Sequence, residues 1–144
     1  NKLKGGKILI HRDDAEGLHN KDINLTDYIG MHEVDIQNSL TVDDEDKIHL
    51  GKLEFIVIHT PGHTAGGSSL YCPEEKMLFS GDTLFNGTWG RTDLPTGNFK
   101  DIINSITQKL LILPGDTIVY PGHGKSTIIE EEKPIYMDLK PRED

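Results

Sequence analysis

Three short segments each set one metal-capable side chain on a turn directly behind an apolar run. Thr60-Pro61-Gly62-His63-Thr64 follows Phe55-Ile56-Val57-Ile58, Gly81-Asp82-Thr83-Leu84-Phe85 follows Met77-Leu78-Phe79, and Tyr120-Pro121-Gly122-His123-Gly124 completes Thr117-Ile118-Val119-Tyr120. His63, Asp82 and His123 are therefore candidate ligands delivered from three strand ends. Each alone has an ordinary reading: a capping or core histidine for His63 and His123, a turn-stabilising carboxylate for Asp82. An acidic group in that setting is costly unless it is paired, hydrogen-bonded or on a metal. Together the three point further, because neutral imidazole nitrogen and carboxylate oxygen are what Zn²⁺ takes at about 2.0–2.2 Å, and an aspartate can bridge two ions. Two ions about 3.5–4 Å apart clamp a hydroxide and polarise a carbonyl, and bound water with a pKa near ~7 is a nucleophile at neutral pH. Metal-assisted hydrolysis is the chemistry expected, with Asp82 as the catalytic candidate. No clustered His/Asp string lies upstream of these segments, so the set reads as part of a two-metal site.

Other reactive residues fit less well. His59 lies four positions before His63, but Pro61 and Gly62 argue against a helix that would put both rings on one face. His11, His19, His32 and His49 stand in polar stretches and read as bystanders. Cys72 precedes Pro73 without an adjacent base or cation, which leaves a nucleophilic role unsupported. Ser68-Ser69 is not a Gly-x-Ser-x-Gly elbow, and Gly5-Gly6-Lys7 lacks the spacing of a phosphate loop. In Gly90-Arg91-Thr92-Asp93, Arg91 and Asp93 are placed to pair and brace the loop behind Asp82, with a substrate contact by Arg91 as the alternative.

The elements that must position these residues alternate between strands and helices. Lys7–Ile10 reads as a short strand and His11–Asn20 as a helix with Asp13 and Asp14 near its N-terminus. Asn24–Val34 has no clear period and reads as loop with a turn of helix. Thr41-Val42 and Ile48-His49-Leu50 flank Asp43-Asp44-Glu45-Asp46, which suggests a hairpin with a charged, solvated tip. Phe55–Ile58 is a continuous apolar run suited to a sheet covered on both faces. Ser69-Leu70-Tyr71 and Met77-Leu78-Phe79 follow as strands around the turn Pro73–Lys76. Phe99, Ile102, Ile103, Ile106 and Leu110 form one apolar stripe of a helix over 99–110, capped by Asn98 and stopped by Pro114-Gly115. Thr117–Tyr120 is the last clear strand, and the charged tail from Lys133 has weak signals. This order implies an α/β fold with a largely covered sheet.

At 144 residues the chain fits one domain with a core of useful size. Its formal net charge of −9 argues against a nucleic-acid partner, which needs a basic footprint. No apolar run reaches the ~18 residues of a membrane helix, and no basic-then-apolar leader is visible. The lone Cys72 excludes an internal disulfide and fits a reducing, cytoplasmic setting. The first residue is Asn1, which leaves a processed start or a piece of a longer protein as the two readings.

At the four motifs named above, including Gly90-Arg91-Thr92-Asp93-Leu94-Pro95, the sequence resembles the metallo-β-lactamase superfamily, closest to its short hydroxyacylglutathione-hydrolase (glyoxalase II)-like branch. The resemblance runs from Lys7 to about Lys133. It implies an αββα sandwich with a dimetal site at one edge of its two sheets. By resemblance His63 completes the first metal's histidines, Asp82 bridges both metals, and His123 binds the second. It implies zinc, two ions in the complete enzyme, with iron or manganese as alternatives. The family's upstream His-x-His-x-Asp-His loop has no counterpart string here. Residues 1–144 are thus expected to be the C-terminal part of a single domain, incomplete at the N-terminus. The parent is expected to hydrolyse thioesters or related acyl substrates, with metal-bound hydroxide attacking the carbonyl, and the chain as written to be weakly active or inactive. Longer glyoxalase II enzymes carry a C-terminal helical segment that contacts glutathione, so strict glutathione-thioester specificity is not implied for a chain that ends soon after His123. Exposed sheet edges would favour homodimerisation or strand exchange. The competing readings are an iron persulfide dioxygenase, a relative that shares the Gly-Arg-Thr-Asp segment, and a non-catalytic interaction remnant.

Overall fold

Apolar and β-branched runs dictate the middle of the molecule. In a computed structural model, which describes residues 6–26, 28, 36, 39–137 and 139, these runs form one six-stranded sheet. Its strands are β3 (Lys47–Leu50), β4 (Leu53–His59), β5 (Ser68–Cys72), β6 (Met77–Gly81), β9 (Ile118–Pro121) and β10 (Thr127–Ile128), in the order β10-β9-β6-β5-β4-β3. Every pair is antiparallel except β6 with β9, which run parallel. Parallel neighbours need a crossover, and here it contains α2 (Phe99–Asn104) and a π-helical continuation, Ser105–Leu110. Two small two-stranded sheets stand apart: β1 (Ile8–His11) pairs in parallel with β2 (Ser39–Val42), and β7 (Leu84–Phe85) pairs with β8 (Thr88–Trp89).

Alternation along the strands separates the faces. Tyr71, Leu78 and Val119 are cross-strand neighbours in register, and they pack with Ile102, Ile103, Ile106 and Leu110 of the crossover. The opposite face is less covered: Phe79 is 41% exposed, and Ile118 and Tyr120 are 38% exposed each. Phe79 stacks on Tyr120 at 5.4 Å and tilts against Phe55 at 6.1 Å. At β4, Phe55 and Val57 are buried on the Phe79 side while Ile56 and Ile58 are half-buried on the crossover side, so the two-sided covering expected from the apolar run holds there but not at β6 and β9.

Several expectations are corrected. The segment after β1 is a 3₁₀ helix, Arg12–Leu18, followed by the single turn α1 (Lys21–Asn24), instead of one α-helix. The stretch is too short to repay α-nucleation, and the His11 and Asn20 side chains each cap a separate start by accepting from Asp13 N and Asp22 N. Thr41-Val42 and Ile48–Leu50 do not form a hairpin with each other, since β2 pairs with β1 and β3 with β4. The acidic run between them is tied down at several points. Asp43 takes a forked pair of hydrogen bonds from Arg12, and Asp44 accepts from His59 N and Lys109. The hairpin turn is Gly51-Lys52, where Gly51 has φ +62°. Phe99, placed on the apolar stripe by spacing, is 53% exposed. The tail is ordered through α3 (Ile129–Tyr136) despite Pro134, because Ile129 and Tyr136 enter the core and buried Glu132 accepts from Thr127 Oγ1 and Gly87 N. Burial pushes the Tyr136 phenol upward, and its hydroxyl donates to Thr88 O. Among the described residues no helix is long and apolar enough to cross a membrane. His32 and most of the Asn24–Val34 segment lie outside the described residues.

Candidate metal centre

Strand direction brings the three ligand candidates together. β4 is antiparallel to β5 and β5 to β6, so β4 and β6 run the same way, and β9 runs with β6. The loops after β4, β6 and β9 therefore leave from one edge of the sheet, carrying His63, Asp82 and His123. Gly122 N donates to Gly81 O at 2.7 Å, which sets the last two turns side by side. A Cβ on Gly122 would stand 2.5 Å from Asp82 Oδ1, so only glycine admits the carboxylate at this distance.

Asp82 lies between the two histidines. His63 Nε2 is 3.5 Å from Oδ2, and His123 Nε2 is 3.5 Å from Oδ1. His63 Nδ1 donates to Arg91 O at 2.8 Å. A carbonyl only accepts, so that bond fixes the proton on Nδ1 and leaves the Nε2 lone pair facing the carboxylate in the neutral ring. Lone pairs opposed across such a gap are stabilised by a cation between them. The donor set, one oxygen and one imidazole nitrogen on each side, suits a divalent transition metal. His63 and Asp82 are only 26% and 33% exposed at the side chain, whereas His123 is 77% exposed and touches the edge of Phe85 at 6.0 Å.

The loop after Asp82 is braced as expected. Arg91 Nε and Nη2 donate to Asp93 Oδ1 and Oδ2 at 2.8 and 2.7 Å. The guanidinium holds the Asp93 carboxyl down to about 2, and its own pKa is raised in return. Both partners are more than half exposed. The Arg91 side chain is thus engaged with Asp93, while its carbonyl orients His63.

Spacing missed one cluster. His11, read as a bystander in a polar stretch, is buried, and its ring stacks on His59 at 4.0 Å with 10° between the planes. With Asp13 these rings place ligand atoms within 4.8 Å of one another. Stacked, nearly parallel rings hold their lone pairs in separate, nearly parallel planes, which do not meet at a common point between them. His11 Nδ1 already accepts from Asp13 N, and His59 Nε2 lies 2.8 Å from Ala65 O. The cluster is a packing joint under the His63 loop. The supports of that loop were also missed, since they come from residues distant in sequence: the Asn98 backbone N donates to Gly62 O, Ser105 Oγ to Pro61 O, and Ala65 N to Thr96 Oγ1. Cys72 is a fully buried free cysteine.

With this geometry in place, likeness to known proteins is informative. The profile of the metallo-beta-lactamase superfamily matches residues 2–123. A Streptococcus pyogenes protein named "Probable metallo-hydrolase M6_Spy0554" is 41% identical over 132 residues, covering 88% of this chain and 56% of its own length. The hydroxyacylglutathione hydrolase GloC of Haemophilus influenzae is 44% identical over 86 residues, 60% of this chain and 41% of its own. The crystal structure of TTHA1623 in a di-iron-bound form superposes with a TM-score of 0.76 at 32% identity, over 88% of this chain and 62% of that one. The chain belongs to the metallo-β-lactamase superfamily. It has that superfamily's α/β fold, and it spans about half the length of the curated relatives it matches.

Proposed function

We propose that this chain carries the bridging part of a dinuclear zinc site in an enzyme that hydrolyses thioesters or related acyl compounds. The observation that carries the reading is Asp82 standing between two imidazoles, with Nε2 of His63 and Nε2 of His123 each 3.5 Å from a different carboxylate oxygen. His63, Asp82 and His123 would hold the ions, which when bound lower the pKa of water and polarise an acyl carbonyl. Asp82 spaces the two half-sites and supplies negative charge to both. The Arg91 carbonyl keeps the His63 proton on Nδ1 and Nε2 free to ligate. Release of the Arg91 guanidinium from Asp93 would free a cation for an acidic substrate group. In this reading residues 1–144 are the C-terminal part of one domain, and the remaining ligands come from outside these residues.

The test is metal content and turnover of the full-length protein. About two zinc ions per chain and hydrolysis of S-acyl glutathione and simple acyl thioesters, both lost in Asp82→Ala, is the expected result. One iron per chain, with oxygen uptake on glutathione persulfide and no hydrolysis, would replace this reading with the dioxygenase one. Neither activity in a metal-replete protein would leave an interaction domain.

A further inference from the structure

We infer that Asp14 is a positioning residue for His63, acting through the loop that carries it. The inference rests on His63 being a metal ligand, as proposed above. Asp14 lies in the 3₁₀ helix behind β1, remote from Asp82 and His123 in sequence and part of none of the four motifs. Its carboxylate nevertheless reaches both residues that flank Ala65 in the turn behind His63. Oδ2 accepts from Thr64 Oγ1 at 2.6 Å, and Oδ1 accepts from Gly66 N at 2.7 Å. Both atoms are thus occupied by one short turn, and charged acceptors make such bonds roughly twice as strong as neutral ones.

The fit is tight from the other side too. A Cβ on Gly66 would come within 2.6 Å of the Asp14 carboxyl carbon and backbone nitrogen, so the turn is shaped to receive this side chain. The same segment also grips the strand that feeds the loop, because His11 stacks on His59, the last residue of β4. Residues 11–14 therefore hold the His63 loop at its entrance and its exit. The supports from Asn98, Ser105 and Thr96 fix the opposite side. Between these grips, the imidazole has its Nδ1 bond to Arg91 O and its Nε2 aimed at Asp82. Loosening Asp14 leaves the donor set intact but lets its first member wander. Partners outside the ligand set that orient a ligand typically carry about 10–100-fold in metal affinity.

The experiment compares Asp14→Ala, Asp14→Asn and Thr64→Val in the full-length protein. Three quantities are read: zinc affinity by chelator competition, the His63 ring tautomer by ¹⁵N NMR of the metal-free protein, and hydrogen exchange at the Gly66 amide. Asp14→Ala is expected to weaken one zinc site by about 10-fold or more, mix the His63 tautomers and speed Gly66 exchange. Asp14→Asn keeps an acceptor for Gly66 N and is expected to restore much of the affinity, with Thr64→Val intermediate. Arg12→Ala breaks the neighbouring pair to Asp43 without touching the loop, and is expected to leave zinc affinity within about 2-fold of the parent. If Asp14→Ala folds but keeps the parent's affinity and His63 tautomer, the inference is overturned while the ligand reading stands. If His63→Ala retains both zinc ions, the ligand reading itself falls. Should Asp14→Ala fail to fold, Thr64→Val decides: unchanged affinity and tautomer with faster Gly66 exchange would overturn positioning.

Discussion

The two histidines beside Asp82 stand at the same distance from it but are held in different ways. His63 is mostly buried and hydrogen-bonded at Nδ1, and its loop is fixed by Asp14, Asn98, Ser105 and Thr96. His123 is 77% exposed, flanked by glycines, and meets only the edge of Phe85 among the described ring contacts. One half of the centre is preorganised by the fold, and the other is a side chain on a short turn. A ligand on a rigid scaffold needs little ordering when an ion arrives, whereas an exposed one loses rotamer freedom at that moment. The expected consequence is a tight ion on the His63 side and a more labile one on the His123 side.

The most severe way to break this comparison is to remove what the two halves share. Asp82→Ala is expected to empty both sides and lower hydrolysis by about 10³-fold or more, since the loss is several kcal/mol of charge stabilisation. Retention of one full equivalent of zinc, measured by elemental mass spectrometry, would show that Asp82 does not link the sides. Gly122→Ala follows in severity. The new methyl meets Asp82 Oδ1 at 2.5 Å, so overpacking should cost about 1–3 kcal/mol in urea unfolding, along with metal affinity on the His123 side first. An unchanged urea midpoint would mean that the carboxylate moves freely.

The two histidines can be compared directly in the metal-free protein. His63→Ala is expected to lose about 1 kcal/mol of stability with its hydrogen bond to Arg91 O, while exposed His123→Ala stays within about 0.5 kcal/mol of the parent. Equal melting temperatures for the two variants would contradict the asymmetry. The smallest effect concerns the Arg91–Asp93 pair that braces the carbonyl used by His63. The Asp93 pKa is lowered from 3.8 in the folded state to about 2. The stability it contributes is therefore complete above about 3.8 and lost as pH falls through about 2. Asp93→Asn should lower the urea midpoint slightly at pH 6, with the difference from the parent vanishing as pH approaches 2. A difference that stays undiminished down to pH 2 would assign the effect to something other than this ion pair.

The centre was more legible than its supports. His63, Asp82 and His123 follow from turns behind apolar runs, because a strand that must be buried delivers the next residue to an edge. Asn98 was legible as a cap for the same local reason, and it accepts from Asp101 N. Asp14 carried no such signal. Early in a helical segment, an aspartate reads as a charge near an N-terminus, and its partners lie some fifty positions on. The failed hairpin around Asp43–Asp46 has the same origin: local alternation suggested pairing, while Arg12 and Lys109, both distant, decided where those carboxylates went. The start of the tail from Lys133 is ordered because α3 is anchored by Ile129, Glu132 and Tyr136, whose partners exist only in the assembled core.

Sequence alone determined the donor types, the glycines that let backbone and carboxylate approach, and the family, since these depend on residue chemistry and short spacing. Only the tertiary structure decided that β4, β6 and β9 point their ends at one sheet edge, that the turn behind His63 is held by Asp14 while His123 stands open, and that Phe79, Ile118 and Tyr120 keep an exposed face. Strand direction and long-range hydrogen bonds are set when distant segments pack, and local sequence does not fix them.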